Sequence, residues 1–210
     1  MLLYFRHPQQ SKTDDDFLSE LRLHPAHVWV FPHLYYITQD SESGQALQNI
    51  QQPFSVISSL YPRAAQTVLM QNFRKKPVHT LQHGNHIISD LLVYAGEGEM
   101  REFLDAVTPR WYPAIDKNVC TKCKQCVEYC LFGVYRWEDE VKVISPDSCK
   151  SGCPACARLC PSRAILFPEC TEAAWLAGGE DQIQTSAEQN PQIDDLDELI
   201  RKLDELEKQE

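Results

Sequence analysis

Nine cysteines, all between positions 120 and 170, are the feature that most restricts what this chain of 210 residues can fold into. The first 119 residues contain none. Eight of the nine form two similar runs, Cys120-x2-Cys123-x2-Cys126-x3-Cys130 and Cys149-x3-Cys153-x2-Cys156-x3-Cys160. Cysteines at such close, repeated spacing indicate metal or redox chemistry.

The compartment in which the chain works bears on how these thiols are used. The beginning, MLLYFRHPQQ, has too short an apolar run for a signal peptide and lacks a small-residue cleavage site. Nowhere do eighteen apolar residues follow one another, so we expect no membrane span. A cytoplasmic location is therefore expected, where thiols stay reduced, and this argues against a disulfide framework.

The net charge of −10 is concentrated near the end of the chain. Residues 171–210 hold twelve acidic and three basic side chains, whereas residues 1–170 are almost neutral. No basic stripe of the kind that follows a phosphate backbone is present, so a nucleic-acid partner is not expected.

Two kinds of metal site are compatible with repeated cysteines. Tetrahedral zinc sites commonly pair two C-x2-C units that are separated by a longer stretch. In both runs here, a third cysteine follows only two residues after the second, which is crowded for zinc but suits three corners of an iron–sulfur cube. The spacing favours iron–sulfur, with zinc as the alternative.

Residues 111–168 resemble a bacterial-type two-cluster ferredoxin domain, in which the fourth cysteine of each run serves the other cluster. The resemblance implies two [4Fe–4S] clusters in an α+β fold with pseudo-twofold symmetry, two hairpins and two short helices. It also implies two ligand sets, the first being Cys120, Cys123, Cys126 and Cys160, and the second being Cys149, Cys153, Cys156 and Cys130.

The sequence departs from the family pattern in the following places. Proline usually follows the fourth cysteine of each run, and Pro161 does so here, but Leu131 follows Cys130. The loop from Cys149 to Cys153 is one residue longer than the commonest spacing, and Gly152 has the backbone freedom to absorb that residue. The ninth cysteine, Cys170, has no place in either set and is expected to be a free thiol.

The first 110 residues predict alternating strands and helices, as in a small α/β domain with a mostly parallel sheet. We expect strands at LLYF, FSVIS and PVHTL, and helices at TDDDFLSELRL, YPRAAQTVLMQNF and EMREFLDAV. The apolar run HVWVFPHLYYI also has strand character, although Pro32 bars a regular central strand throughout it. The stretch IISDLLVYAG is ambiguous. Proline at the first turn of a helix supports the second of these helices.

The chain therefore divides into three expected parts. Residues 1–110 form an α/β domain of unknown role, and residues 111–170 form the ferredoxin-type domain. Residues 171–210 form an acidic linker that ends in an amphipathic helix, where leucine and isoleucine recur at helical spacing. That helix either packs weakly on its own protein or binds a partner.

The favoured function is low-potential electron transfer to or from a partner oxidoreductase, without catalysis by the chain itself. One alternative is an enzyme, or its electron-feeding subunit, in which the N-terminal domain binds a substrate or cofactor. Another is an iron–sulfur redox sensor. The sequence has no credible substrate or cofactor motif before residue 110, so the carrier is preferred.

Overall fold

The structure is a computed structural model that describes residues 1–8, 12–84 and 88–180, without the side chains of residues 12 and 13. Residues 1–180 belong to one compact unit. The expected amphipathic helix of the tail lies outside the described residues. None of the helices in the described part of the chain combines the length and apolar character needed to cross a bilayer.

A five-stranded sheet organises the N-terminal half, in the spatial order β4-β3-β1-β2-β5. Every neighbouring pair in this sheet is parallel, as the alternation of strands and helices predicted. The strands are β1 (Leu2–Phe5), β2 (Val28–Phe31), β3 (Ser55–Ser58), β4 (Thr80–Gln82) and β5 (Arg101–Glu102).

Helices cover both faces of this sheet, because β1, β2 and β3 are buried on both sides and present apolar side chains to each. The helices are α1 (Lys12–Leu21), α2 (Glu42–Asn49), α3 (Pro62–Phe73) and α4 (Ile88–Ala95), with a 3-10 helix at Leu34–Tyr36. Apolar side chains of α1 and α4 share one core, and those of α2 and α3 share the other. Pro62 begins α3, as expected.

The prediction of a helix at EMREFLDAV is wrong. Its residues 101–102 form β5, which pairs with β2, and the chain then continues without regular structure. Phe103 is buried and stacks on Phe31 with ring centroids 4.5 Å apart, whereas Leu104 is 77 % exposed. Phe103 and Leu104, which the helix prediction placed on one face, therefore lie in different environments. Contacts with β2 outweigh the local preference for helix in this segment.

The cysteine-rich half contains two small antiparallel pairs of strands and two short helices. Its elements are β6 (Ala114–Ile115), α5 (Gln125–Tyr129), β7 (Tyr135–Trp137), β8 (Val141–Val143), α6 (Ala155–Leu159) and β9 (Ile165–Leu166). The expected hairpin forms between β7 and β8. The other pair is not a second hairpin, since β6 and β9 join the two ends of this half.

The two halves share a hydrophobic core. Tyr112, Ala114 and Leu166 are buried in the same cluster as side chains of β1, β2 and α3. The rings of Tyr35 and Tyr112 stack 4.3 Å apart, and the Tyr112 hydroxyl donates to the Tyr35 carbonyl at 3.0 Å. The cysteine-rich half is thereby fixed against the sheet domain by apolar contacts as well as by hydrogen bonds.

Candidate metal centre

Each cysteine run leads through a loop into a short helix and ends at the residue that caps it. Cys126 lies in α5 and Cys130 follows its last residue, while Cys156 lies in α6 and Cys160 follows its last residue. Both capping cysteines are extended, with φ/ψ of −76°/105° at Cys130 and −74°/110° at Cys160. The fourth cysteines of the two runs therefore leave their helices with the same backbone conformation.

The duplication is also visible in the backbone between the cysteines. The residue before the second cysteine has a positive φ in both runs, 58° at Lys122 and 72° at Gly152. Three residues after the fourth cysteine, φ is again positive, 64° at Gly133 and 49° at Arg163. Lys122 and Arg163 adopt this conformation at a steric cost, whereas glycine adopts it easily. That Gly152 absorbs the extra residue of its loop stays a prediction.

Four of the predicted ligands surround one cavity. Cys120, Cys123, Cys126 and Cys160 all line one cavity, together with Ile115 and Val141. Three of these cysteines come from the first run and the fourth from the second run. This is the set that the resemblance assigned to the first cluster.

The other four predicted ligands also lie near one another. Burial, together with the nearby thiols of Cys156, Cys130 and Cys153, raises the pKa of the Cys149 thiol to about 12. Cys130 thus lies beside the three cysteines of the second run, although it ends the first. Since such thiols carry protons at neutral pH, loading a metal cluster here releases protons.

The two groups of thiols approach each other at Cys126 and Cys156, which lie on the packed helices α5 and α6. Burial, together with the thiols of Cys156, Cys160 and Cys120, raises the pKa of Cys126 to about 12, and Cys156 makes the largest contribution of the three. Burial also raises the pKa of Cys156, and a hydrogen bond with Tyr135 lowers it by a smaller amount. Two metal groups held here would be close neighbours.

An apolar shell surrounds the cysteines on the protein side. Val134, Ala157, Ile165 and Phe167 are buried and pack in one cluster with six of the eight predicted ligands, all except Cys123 and Cys153. Cys123 is exposed and Leu131 is 92 % exposed. The site therefore excludes water on one side and approaches the surface on the other.

Cys170 differs from the predicted ligands in its surroundings. It is buried in the apolar cluster beside Phe167, and its backbone N–H donates to the Phe167 carbonyl at 2.8 Å. All nine cysteines lie in the described part of the chain, and none forms a disulfide. The Cys170 thiol fills space in the core of the cysteine-rich half. That it is a free thiol stays a prediction.

The donor set fits an iron–sulfur cluster better than zinc. Thiolates are the ligands of such clusters, and four line one cavity. Among the described residues, no three His, Cys, Asp or Glu side chains are arranged to hold a single metal ion.

Sequence reasoning missed one polar contact to a predicted ligand. The Tyr135 hydroxyl lies 3.0 Å from the Cys156 Sγ, and the ring is buried. When that sulfur is a thiolate, the hydroxyl is the donor. Nothing in the local sequence distinguishes Tyr135 from the exposed Tyr129, because the difference arises when the β7–β8 hairpin packs on α6.

Comparisons with known proteins agree with the cysteine pattern. The chain is 44 % identical over 61 residues to an uncharacterized ferredoxin of Methanocaldococcus jannaschii, and 40 % identical over 53 residues to the pyruvate synthase subunit PorD of Methanothermobacter marburgensis. These matches cover 28 % and 25 % of this chain, in its C-terminal part, and 42 % and 60 % of the two relatives.

These relatives support a ferredoxin-type domain in the cysteine-rich half. The chain spans less than two thirds of the length of either relative. No protein-family model matches the chain, and no solved structure matches it significantly.

Proposed function

We propose that the protein is an electron carrier that holds two [4Fe–4S] clusters and exchanges low-potential electrons with a partner oxidoreductase. The first cluster is held by Cys120, Cys123, Cys126 and Cys160, and the second by Cys149, Cys153, Cys156 and Cys130. In this proposal residues 111–170 are the electron-transfer domain and residues 1–110 are a separate functional domain.

The observation that carries the proposal is the crossed arrangement of thiols. Cys160 of the second run lines the cavity that the first three cysteines surround, and Cys130 of the first run lies near Cys149 and Cys156. A fourth ligand exchanged between two runs is typical of two-cluster ferredoxins. The named relatives support an iron–sulfur electron-transfer role at the coarser level.

The side chains of this chain have three tasks in such a carrier. The thiolates hold the clusters, each of which supplies a one-electron couple when bound. Val134, Ala157 and Phe167 exclude water from one side. The Tyr135 hydroxyl, by donating to the Cys156 sulfur, stabilises the extra negative charge of the reduced state and so raises the potential.

The partner is proposed from one relative. PorD is a subunit of pyruvate synthase, so an oxidoreductase that delivers its electrons through a ferredoxin-like subunit is the kind of partner we propose. Cys123 and Leu131 lie on the exposed side of the centre, which gives such a partner an approach to both clusters.

Iron and acid-labile sulfide in protein purified without oxygen test this proposal directly. Two [4Fe–4S] clusters predict about eight of each per chain, with a reduced spectrum that shows two coupled paramagnets. About four of each would reduce the proposal to one cluster, and zinc without sulfide would reject it.

A second candidate function is an enzyme, or its electron-feeding subunit, whose N-terminal half binds a small molecule. The observation that favours it is a cavity at the carboxyl edge of the parallel sheet, lined by Arg6 and His33. Tight binding of a small molecule by the intact protein distinguishes this candidate from a simple carrier.

A further inference from the structure

A groove runs along one face of α3, between this helix and the segment that leads from β6 into the first cysteine run. The α3 residues that line it recur every three or four positions, so they lie on one face of the helix. Arg63 near the beginning of α3 and Arg74 just after its end both belong to the lining, and this interval corresponds to about 16 Å of helix. The groove has a volume of about 310 Å³, so it is long and narrow.

Two side chains of α3 fix the opposite wall of the groove. The Gln71 side-chain amide donates to the Pro113 carbonyl at 3.2 Å and accepts from the Ile115 N–H at 2.9 Å. The Arg63 Nε donates to the Asp116 carboxylate at 2.8 Å. These hydrogen bonds hold the two walls at a fixed distance from each other.

The groove carries an excess of positive charge. It is lined by the cations Arg63, Arg74, Lys76 and Lys117 and by the carboxylate of Asp116. Asp116 is only 8 % exposed, and each of its carboxylate oxygens accepts a hydrogen bond, one from the Arg63 Nε and one from the Asn118 N–H at 3.1 Å. The charge of Asp116 is therefore compensated by Arg63, which leaves three cations.

Two of these three cations have no counter-charge of their own. Lys117 forms an ion pair with Glu140, which lies outside the lining. Arg74 and Lys76 are exposed, and neither has an ion-pair partner among the residues that the structure describes. Residues 1–170 are almost neutral as a whole, so this local excess of positive charge is not general to the surface. The groove therefore attracts negatively charged groups.

An apolar side chain lies between the charged ends of the groove. Met70, on the lining face of α3, is 46 % exposed. A thioether is flexible and polarisable, so it packs against apolar side chains of different shapes. The amide side chains of Gln66 and Asn118 are also in the lining and offer both donors and acceptors. This combination suits a peptide with acidic and apolar side chains.

The groove lies beside the proposed first cluster. Ile115 lines both the groove and the cavity of the first ligand set. The Cys120 N–H donates to the Asp116 carbonyl at 3.2 Å, so the wall of the groove continues directly into the first cysteine run. A protein segment bound in the groove is therefore held next to the first cluster.

We propose that this groove docks an acidic segment of the redox partner, bound in an extended form beside the first cluster. An extended strand of about five residues spans the groove. Its carboxylates pair with Arg74, Lys76 and Lys117, and an apolar side chain between them contacts Met70. A compact phosphate group would engage only one end of the groove. The inference rests on the proposed function, since that function makes the docked protein an oxidoreductase.

Calorimetric titration of the intact, anaerobically purified protein with short peptides tests the chemistry of the occupant. The probe is the peptide EELEE with blocked ends, and its neutral match is QQLQQ. We expect EELEE to bind at one per chain, more weakly as salt is added, and QQLQQ to bind about tenfold more weakly or less. Equal affinities would overturn the proposal, as would no binding of EELEE at about 1 mM.

Inorganic pyrophosphate, titrated at the same ionic strength, tests a small phosphorylated ligand as the occupant. The peptide reaches both ends of the groove, whereas pyrophosphate reaches one end. We therefore expect the peptide to bind more tightly. Tighter binding of pyrophosphate would overturn the assignment to a protein segment.

A charge reversal tests the location. Lys76 is exposed and lies in the lining, so Lys76→Glu removes an attraction without disturbing a core. Arg136, whose side chain is 61 % exposed, lies outside the lining, and Arg136→Glu changes the net charge by the same amount. We expect K76E to bind EELEE about tenfold more weakly and R136E to bind it nearly as the parent does. Equal losses in the two variants, or undiminished binding by K76E, would overturn the location.

Iron and sulfide are measured in the same samples, so the two proposals fail separately. A protein with its full iron content that does not bind EELEE would reject the groove as a docking site and leave the electron carrier intact. A protein that binds EELEE but contains zinc without sulfide would reject the carrier, and with it the redox nature of the partner.

Discussion

At the scale of single residues, the function of a cysteine in this chain depends on the direction in which it leaves its helix. Cys130 and Cys160 share the same extended conformation after α5 and α6. The eight proposed ligands could be named from spacing and family resemblance, because the cysteine pattern is local in sequence. Tyr135, His33 and Glu169 could not, since their contacts arise only when distant segments pack together.

Replacing Cys130 by alanine tests the exchange of the fourth ligand. Because Cys130 lies beside Cys149 and Cys156, we expect the second cluster to be lost and the first to remain, with about four irons per chain. Mössbauer or paramagnetic resonance spectra of the reduced protein measure this. Cys170→Ala is the control and should keep about eight irons. Loss of the first cluster instead would contradict the ligand sets.

Replacing Tyr135 by phenylalanine tests the hydrogen bond to Cys156. A hydrogen bond of about 1 kcal/mol corresponds to roughly 40 mV for a one-electron couple. Its removal should lower the potential of the second cluster by up to about that amount and leave the first unchanged, as measured by a redox titration. Tyr129→Phe, on the exposed side of α5, is the control. A raised potential in Y135F would be inconsistent with a donating hydroxyl.

At the scale of elements, patterns with local causes were predicted well. The parallel sheet and α3 with Pro62 at its beginning follow from the alternation of strands and helices and from helix-start chemistry, and the β7–β8 hairpin was implied by the family resemblance. The predicted helix at 99–107 failed because pairing with β2 and the stacking of Phe103 on Phe31 decide that segment. The second hairpin failed because β6 pairs with the distant β9.

The loops between the cysteines offer a matched pair of substitutions. Lys122 has a φ of 58°, where an L-residue is strained by roughly 1 kcal/mol, and Gly152 holds the corresponding place with a φ of 72°. We expect Lys122→Gly to slow cluster loss and Gly152→Ala to accelerate it. No atom lies within 4 Å of a Cβ built on Gly152, so the effect there is purely conformational.

The rate at which the visible absorbance bleaches during thermal unfolding measures cluster loss in both loop variants. Val119, an exposed residue just before the first run, gives the control Val119→Ala, which leaves the loop backbone unchanged. If K122G lost its clusters faster than the parent, backbone strain at Lys122 would be ruled out as the relevant effect.

At the scale of the whole molecule, the change in composition near residue 110 does not coincide with a gap in packing. Tyr112, Ala114 and Leu166 belong to the same core as the sheet domain. Arg63 of α3 donates to Asp116 and to the Arg163 carbonyl, each at 2.8 Å. Composition identifies segments of different chemistry, but it carries no information about which surfaces they bury against each other.

Replacing Tyr112 by alanine tests this shared core. Truncating a buried aromatic residue lowers the free energy of unfolding by about 3–5 kcal/mol, and here both halves lose packing contacts. We expect two transition temperatures to fall together. The first is the unfolding temperature of the sheet domain, followed by far-ultraviolet circular dichroism, and the second is the temperature at which the clusters are lost, followed by visible absorbance. Tyr129→Ala should change neither. A drop in the cluster signal alone would mean that the halves are stabilised independently.

The place of Leu166 in that core has a consequence for the order of events during synthesis. The N-terminal sheet packs part of its core against Leu166, and Glu169 contacts His33 at its edge. Both residues leave the ribosome long after the last strand of the sheet has been made. The first half of the chain therefore completes its packing only when the cysteine runs have also emerged, so its final folding and the insertion of iron and sulfide fall in the same late interval.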